Sequence, residues 1–211
     1  MVVEIDKSSH DKDFISKAVG VLTRAFYDYP EYVQLLPNPE KRKQKLPIMF
    51  EVFTKYCLND GIVLVTSSNG PLEGVLMYIP PPAEIGGGDI IRAGALKIPF
   101  KIGLGFIQGE LRIMKAVSNA RKTHATIPHA YLFLLAVDQP YQKQGFAAAL
   151  MDHMLNALDK ENLGCYLETT APENVDYYRR YNFDLVETKN VPGTSLTIHM
   201  MMRQPSVKRL N

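Results

Sequence analysis

The sequence predicts a mixed α/β fold in which helices flank a central β-sheet. Three observations point to this class. Strand-like and helical stretches alternate in the order β-α-α-β-β-α-β-α-β-α-β-β, which is typical of a mixed sheet. Residues 130–137 (AYLFLLAV) form an almost continuous apolar run that suits a central strand. Hydrophobic residues make up 46% of the 211, enough to bury a sizeable core. We expect a single domain over residues 1–211.

The N-terminal half contains a strand, two helices and a hairpin. Asp11 or Asp13 is a candidate cap for the first helix, whose apolar residues recur at helical spacing. The segment DYPEYVQLLPNPE, residues 28–40, is predicted to break the chain between the two helices. SSNGPLE separates two β-rich runs and predicts an antiparallel hairpin. The predicted elements are a strand at 2–5, helices from 11 or 13 to 27 and from 40 to 58, and strands at 62–66 and 74–79.

The strongest interruption in the sequence is IPPPAEIGGGD, residues 79–89. Its three prolines and three glycines continue neither a helix nor a strand, so we predict a mobile loop within one domain. The apolar segment that follows is predicted to be helical to about Arg121. The remaining predicted elements are a strand at 130–137, a helix at 145–161, a strand at 165–169, a short helix at 174–181, and strands at 183–188 and 196–202.

Composition excludes several classes of protein. Twenty-four Lys and Arg residues nearly balance 22 Asp and Glu, so no global charge indicates binding to nucleic acid or to an anionic membrane. Cys57 and Cys165 lie far apart and lack the spacing of a disulfide framework or a zinc site, and no metal is expected. Residues 90–107 carry three cationic side chains and a proline, too polar for a membrane span. The N-terminus has no apolar signal core, and we expect a cytoplasmic protein.

The junction QKQGFA, residues 142–147, is a candidate anion site. Gly145 permits a positive dihedral or a close backbone approach, and the helix that follows directs its free N–H groups toward the turn. Such an arrangement can cradle a phosphate, with Lys143 adding charge beside it. A plain strand-to-helix turn is the alternative. No GxxxxGK[ST] or GxGxxG loop is present, so the pattern disfavours nucleoside triphosphates and needs a different phosphate donor.

Two motifs carry a resemblance to a known family. The stretch AVDQPYQKQGFAAALM is similar to the acyl-CoA motif of the GCN5-related N-acetyltransferases (GNAT), and LETTAPENVDYYRRYNF resembles their second signature. The layout of AFYDYP, LETTAP and the closing VPG and MMMRQP segments resembles the puromycin N-acetyltransferase subgroup. The resemblance implies a mostly antiparallel sheet with a splayed cofactor strand, acetyl-CoA as cofactor, and acetyl transfer to the primary amine of a small molecule.

The resemblance also implies roles for individual residues. The end of the central strand would pair with pantetheine and point an N–H at the thioester oxygen, while the turn and first helical residues would surround the pyrophosphate. Tyr178 matches the general acid, since a phenol stays protonated at neutral pH. Asn174 would bond the cofactor arm, cap its helix, or both. The cofactor-binding residues are therefore Leu135, Ala136, Val137, Gln142, Lys143, Gln144, Gly145, Phe146, Ala147, Ala148, Asn174 and Tyr178.

The general base has several candidates. Glu168 lies in an otherwise apolar strand, where burying a glutamate is costly without a purpose, so we predict that it accepts the amine proton directly or through water. His129, just before the cofactor strand, is the rival, and water chains replace a side-chain base in many enzymes of this family. Tyr177 is expected to pack. One departure from the family pattern is Asn182 in place of glycine, which the left-handed turn tolerates.

Acceptor recognition is assigned to the variable parts of the chain. Phe26, Tyr27, Tyr29 and Tyr32 are candidates to line an amine pocket together with the proline-glycine loop, with helix packing as the alternative. No acidic cluster in the sequence indicates a polycationic acceptor. Two other functions stay open: acetylation of a peptide or protein amine, and a non-catalytic acyl-CoA-binding domain. The acceptor, the acyl chain length and the oligomeric state are not predicted.

Overall fold

The computed structural model describes residues 1–5, 11–68 and 70–206. The strands in this part of the chain are β1 (Val2–Glu4), β2 (Ile62–Ser67), β3 (Leu72–Ile79), β4 (His129–Val137), β5 (Gly164–Thr169), β6 (Asp184–Asn190) and β7 (Thr197–Arg203). The α-helices are α1 (Lys12–Ala25), α2 (Pro30–Leu35), α3 (Pro39–Asp60), α4 (Gly87–Arg92), α5 (Ile98–Lys101), α6 (Leu104–His124), α7 (Phe146–Lys160) and α8 (Glu173–Arg179).

All seven of these strands join one sheet in the order β1-β2-β3-β4-β5-β7-β6. Every neighbouring pair is antiparallel except β4 and β5, which run parallel. The parallel pair is connected through α7, as a crossover between parallel strands requires. The predicted fold class, a mixed and mostly antiparallel sheet flanked by helices, is confirmed.

The two central strands separate partway along their length. The β4–β5 ladder holds only three residue pairs and ends at Tyr131 and Tyr166, although β4 continues for six more residues. At the same level β4 has a bulge, because Tyr78 pairs with Leu132 and Met77 with Leu134, leaving Phe133 as an extra residue. Bulges bend a strand and redirect its side chains, often beside active sites. The short ladder and the bulge together create an opening in the sheet between β5 and residues 132–137 of β4.

The bulge also changes which face of the sheet each side chain covers. Leu132 packs with the core on the α7 and α8 side, whereas Leu134 packs with the core on the α1 and α3 side. A third group of buried residues joins α6 to β5 and β7. In the described part of the chain, no helix combines the length and the apolar character needed to cross a bilayer.

Helix α2 corrects the sequence prediction, which placed a break across residues 28–40. Pro30 occupies the start of α2, where its missing N–H costs nothing and its fixed dihedral favours a helix. Tyr32 is buried and packs edge-on against Phe50 of α3, with ring centroids 5.5 Å apart. The prolines at both ends of the segment were interpreted as breakers, but this one begins a helix.

The helical region after the proline-glycine loop is also different from the prediction. It is divided into α4, a short 3-10 turn that leads into α5, and α6, and it extends to His124 instead of Arg121. Gly94 and Gly103 sit at the joints with φ of +101° and +116°, values that disfavour any other residue. The loop itself is shorter than expected, since α4 begins at Gly87 within it.

Candidate active site

A cavity of about 300 Å³ lies where β4 and β5 separate. Its floor comes from residues 131–135 of β4 and 167–169 of β5. The rest of its lining comes from the turn between α1 and α2, from helices α2, α3, α4, α6 and α8, from Ile85 of the proline-glycine loop, and from Thr170 and Ile198. This volume is at the lower end of the range for sites that take small molecules.

Tyr178 of α8 lines this cavity and is 8% exposed. Its ring packs on Phe183, with centroids 5.8 Å apart, which fixes its direction. Burial, and then the proximity of Tyr29, raises the pKa of the Tyr178 phenol, so the group stays protonated at neutral pH. Its neighbour Tyr177 lies outside the lining, and the Tyr177 hydroxyl is 3.4 Å from that of Tyr181. The structure places only one of these adjacent tyrosines at the cavity.

Glu168 of β5 lines the same cavity, so the structure brings the predicted base and the predicted acid together. Burial raises the pKa of the Glu168 carboxyl, while the hydroxyl of Tyr131, the charge of Arg121 and the hydroxyl of Tyr166 act in the opposite direction. A carboxylate with a raised pKa is a stronger base than an exposed one. Its position and its environment both suit the removal of a proton from an amine.

Tyr29, in the turn between α1 and α2, is held over the end of β5. Its Oη lies 2.8 Å from Thr169 Oγ1 and accepts a hydrogen bond from the Thr170 backbone N–H at 2.9 Å. Thr169 Oγ1 already accepts from the Asn174 side chain (3.1 Å) and from the Ala171 N–H (3.2 Å). With both acceptor positions filled, Thr169 donates its own hydrogen, and Tyr29 Oη is nearer than the alternative carbonyl at 3.4 Å.

Thr169 and the Thr170 N–H thus hold the Tyr29 hydroxyl in place at the cavity wall. Tyr29 lines the cavity, as do Thr169 and Asn174. The cavity thus has two tyrosines at one end, Tyr29 and Tyr178.

The predicted anion turn has the expected backbone geometry. Gly145 precedes α7 with φ of +89°, Lys143 also has a positive φ of 62°, and no side chain caps the helix. The first N–H groups of α7 thus point toward an exposed turn. The side chains of Gln142 and Gln144 turn back and donate to the carbonyls of Val137 and Pro140, at 3.2 and 2.9 Å. These two side chains are therefore bonded within the turn.

A salt bridge fixes the start of this turn. The guanidinium of Arg24, at the end of α1, donates to both carboxylate oxygens of Asp138 at 2.8 and 2.7 Å. Asp138 follows β4 directly, is 6% exposed, and also accepts from the Gln139 N–H at 2.9 Å. A bidentate pair of this kind restrains orientation as well as distance.

Three sequence-based alternatives are not found in the structure. Asn174 does not cap α8, because Pro172 occupies the cap position and Asn174 donates to Thr169 instead. His129 lies at the opposite end of β4, where its Nδ1 contacts the Ile127 carbonyl at 2.8 Å, and it is not in the cavity lining. Tyr27 also lies outside, since its hydroxyl donates to the Pro39 carbonyl and Arg42 covers its ring.

Two acidic residues of the cavity, Glu31 of α2 and Glu110 of α6, were not predicted from the sequence. Neither has a motif around it, and the two are distant in sequence from each other and from Glu168. Only the packing of α2 and α6 over the β4–β5 opening brings them together. No local sequence signal shows this grouping of carboxyls, which forms only in the folded chain.

Known proteins share this architecture. Residues 105–183 match the sequence model of the acetyltransferase (GNAT) family. A crystal structure described as histone acetyltransferase HPA2 and related acetyltransferase, from Corynebacterium glutamicum, superposes with a TM-score of 0.67 at 20% identity, covering 100% of this chain and 98% of that one. The chain has the GNAT fold.

Two further relatives agree with this result. An uncharacterized N-acetyltransferase of Schizosaccharomyces pombe is 26% identical over 210 residues, which cover 93% of this chain and 82% of the relative. The polyamine N-acetyltransferase of Drosophila melanogaster, which forms N-acetylagmatine, superposes with a TM-score of 0.59 at 12% identity over 97% of this chain and 100% of its own. Residues 105–183 thus resemble the GNAT acetyltransferases in sequence, and the chain as a whole shares their fold.

The GNAT match includes several of the helices and strands that line the cavity. It begins in α6 and contains β4, the Gly145 turn, β5 and α8. The part of the chain before residue 105 lies outside the match, and it supplies Phe26, Tyr29, Glu31 and Tyr32 to the cavity. Residues inside the family match and residues that precede it therefore line the same cavity.

Proposed function

We propose that this protein is an acetyl-CoA-dependent N-acetyltransferase that transfers acetyl directly to the primary amine of a small molecule. The observation that carries the proposal is the cavity at the β4–β5 opening, which holds Glu168 and Tyr178 together. Acetyl-CoA supplies the activated acyl group as a thioester. Two parts of the chain would fit this ligand. The uncapped start of α7 offers backbone N–H groups for the pyrophosphate, and β4 beyond the end of the β4–β5 ladder offers backbone groups for pantetheine.

Each chemical requirement of the transfer has a candidate group. Glu168 accepts the proton of the attacking amine, and the Tyr178 phenol donates a proton to the departing sulfur. Residues Leu135 to Val137, beyond the end of the β4–β5 ladder, direct backbone groups at pantetheine and at the carbonyl oxygen. One preorganised N–H at that oxygen typically lowers a barrier by about 2.7 to 4 kcal/mol.

The proposed cofactor contacts extend along the turn and into α7. Backbone N–H groups of the Gly145 turn would bind the pyrophosphate, and the exposed Lys143 side chain would contribute charge. Phe146 packs edge-on against Tyr141, with centroids 6.1 Å apart, and supports the first turn of the helix. Ala147 and Ala148 continue that turn, and Asn174 stays a proposed contact of the cofactor arm through its position on the cavity wall.

A small acceptor is favoured over a peptide by the covering of the cavity. A peptide needs an open groove, whereas here Ile85 of the proline-glycine loop, Ile90 of α4 and Met114 of α6 contribute to the lining. The puromycin N-acetyltransferase subgroup is a narrower proposal that rests on the sequence layout alone. We also propose a cytoplasmic location, in keeping with the free, buried thiols of Cys57 and Cys165.

The test monitors free thiol from acetyl-CoA across a panel of amines, with Tyr178→Phe and Tyr177→Phe as a matched pair. Phe at 178 removes the phenol that faces the cavity, and we expect turnover to fall about 10²-fold near neutral pH. Acetyl-CoA affinity should stay close to that of the wild type. Phe at 177 should have little effect on turnover. Release of thiol from small amines supports the proposal, while reaction with peptides alone contradicts it.

A further inference from the structure

Two glutamates of the cavity have no part in the proposed chemistry. Glu31 and Glu110 line it together with Glu168, each from a different element. Of the described residues that line the cavity, none is Lys or Arg. The lining therefore offers three carboxyls and no ammonium or guanidinium group, a composition that suits positively charged ligands.

Glu31 and Glu110 form a carboxyl pair. Both line one small cavity, where two like charges disfavour each other's ionised form. Burial raises the pKa of both, to about 7 for Glu31, where the charge of Glu168 contributes next, and well above its usual range for Glu110. Glu110 Oε1 is buried and, among the described residues, has no hydrogen-bond partner. This environment favours a proton on the pair in the free protein near neutral pH.

Independent features of the cavity also suit a ligand with several N–H donors. Thr170 is 7% exposed and lines the cavity, and within the described chain its Oγ1 is buried without a partner. The rings of Phe26, Tyr29 and Tyr32 form a cluster beside Glu31, with centroids 5.2 to 6.1 Å apart. Aromatic faces next to a carboxylate are a common environment for ammonium and guanidinium groups.

We propose that the Glu31–Glu110 pair binds a second cationic group of the acceptor, so that the preferred substrates are diamines or amines with a distal ammonium or guanidinium. This inference rests on the proposed function and makes its substrate class narrower. The reacting amine lies at Glu168 and Tyr178, and the distal cation replaces the proton that the pair holds in the free protein. The aromatic cluster contacts the apolar chain between the two nitrogens.

The kinetic test compares straight-chain diamines, from putrescine to longer homologues, with monoamines of the same chain length. We expect wild-type kcat/KM for the best diamine to exceed that of its monoamine by at least about tenfold, as a charge-assisted hydrogen bond implies. Glu110→Gln and Glu31→Gln should each bring the ratio toward one. Glu40→Gln, at an exposed position, is the matched control and should keep the wild-type ratio. Circular dichroism and Tm confirm that each variant folds.

A binding measurement separates this inference from the proposed function. Calorimetry of the diamine with the full chain in the presence of CoA, repeated in two buffers of different ionisation enthalpy, should show proton release near pH 7 that both Gln variants reduce. Such binding without turnover of any amine would leave the inference intact and contradict the proposed function. Equal kcat/KM for diamines and monoamines, with no diamine binding that depends on Glu31 or Glu110, would overturn the inference and leave the proposed function intact.

Discussion

Tyr29 Oη lies 2.8 Å from Thr169 Oγ1, joining the turn after the first helix to the end of β5. The bond connects the part of the chain outside the GNAT match to the part inside it. Thr169 Oγ1 also accepts from Asn174 and from the Ala171 N–H, so the contact fixes the position of the Tyr29 hydroxyl. Tyr29 thus places a second phenol at the cavity beside Tyr178.

Replacing Tyr29 by Phe should lower turnover about tenfold or more, because the donor facing the cavity is lost. Thr169→Val is the comparison, since it breaks the same bond but keeps the phenol. We expect the Phe variant to lose more kcat than the Val variant, with acetyl-CoA affinity similar in both. Stopped-flow turnover and equilibrium binding measure these quantities. Wild-type kcat in Tyr29→Phe would show that the Tyr29 hydroxyl has no role in turnover.

Gly145→Ala should weaken acetyl-CoA binding. The residue has φ of +89°, and a Cβ there would meet no protein atom within 4 Å, so the cost is backbone strain of about 1 kcal/mol and intrusion into the anion-facing space. Gly94→Ala is a matched control, with φ of +101° and the same open surroundings but far along the chain. Both variants should lose similar stability by thermal melting. About tenfold weaker binding is expected for Gly145→Ala alone, and equal affinities would argue against the cradle.

Glu31→Gln should stabilise the protein most at alkaline pH. The pKa of Glu31 is raised from 4.5 to about 7 by burial and then by the charge of Glu168, while Glu110 acts in the opposite direction and Tyr29 and Tyr32 lie beside it. Between pH 4.5 and about pH 7, the folded chain binds more protons than the unfolded chain. The free energy of unfolding therefore falls as pH rises through this range, and this loss of stability is complete above about pH 7.

Thermal melts at about pH 5 and pH 8 test this prediction. The Tm difference between Glu31→Gln and wild type should be larger at the higher pH by a few degrees, given about 2 to 4 °C per kcal/mol for a chain of this size. Glu40→Gln, which alters an exposed carboxylate, should show no such change between the two conditions. A Tm difference that is independent of pH would mean that Glu31 titrates normally.

Asn182→Gly should raise the free energy of unfolding by up to about 1 kcal/mol. Asn182 follows α8 with φ of 63°, a left-handed conformation that glycine adopts without steric cost, although its flexibility in the unfolded chain offsets part of the gain. Urea denaturation measures the change. The same substitution at Asn156, an exposed position within α7, should instead destabilise by a few tenths of a kcal/mol. Destabilisation at both positions would contradict the prediction.

Local sequence signals predicted the parts of the site that are close in the chain. Gly145 and the helix after it lie within a few residues of each other, and so do Tyr178 and Asn182, whose left-handed φ agrees with the tolerance expected of asparagine. The extra residue at Phe133 was not predictable, because a bulge is defined by the partner strand and an apolar run reads the same with or without it.

The acidic side of the cavity was beyond sequence reasoning for a different reason. Glu31 belongs to a helix that its two flanking prolines concealed, and Glu110 lies on a helix whose polar residues look like an ordinary solvated face. Their raised pKa values are a product of burial against α2, α6 and β5, which no single segment reveals. Long-range packing therefore sets the charge of this site, whereas short motifs set its backbone.

The Arg24–Asp138 salt bridge makes the loop before α7 dependent on the N-terminal helix α1. Arg24 of α1 contacts both carboxylate oxygens of Asp138 at 2.7 to 2.8 Å. A helix more than a hundred residues earlier in the chain therefore orients the loop that precedes α7. A shortened protein that starts after residue 25 would keep every residue of the family match. It would nevertheless lose Arg24, and with it the salt bridge that orients this loop.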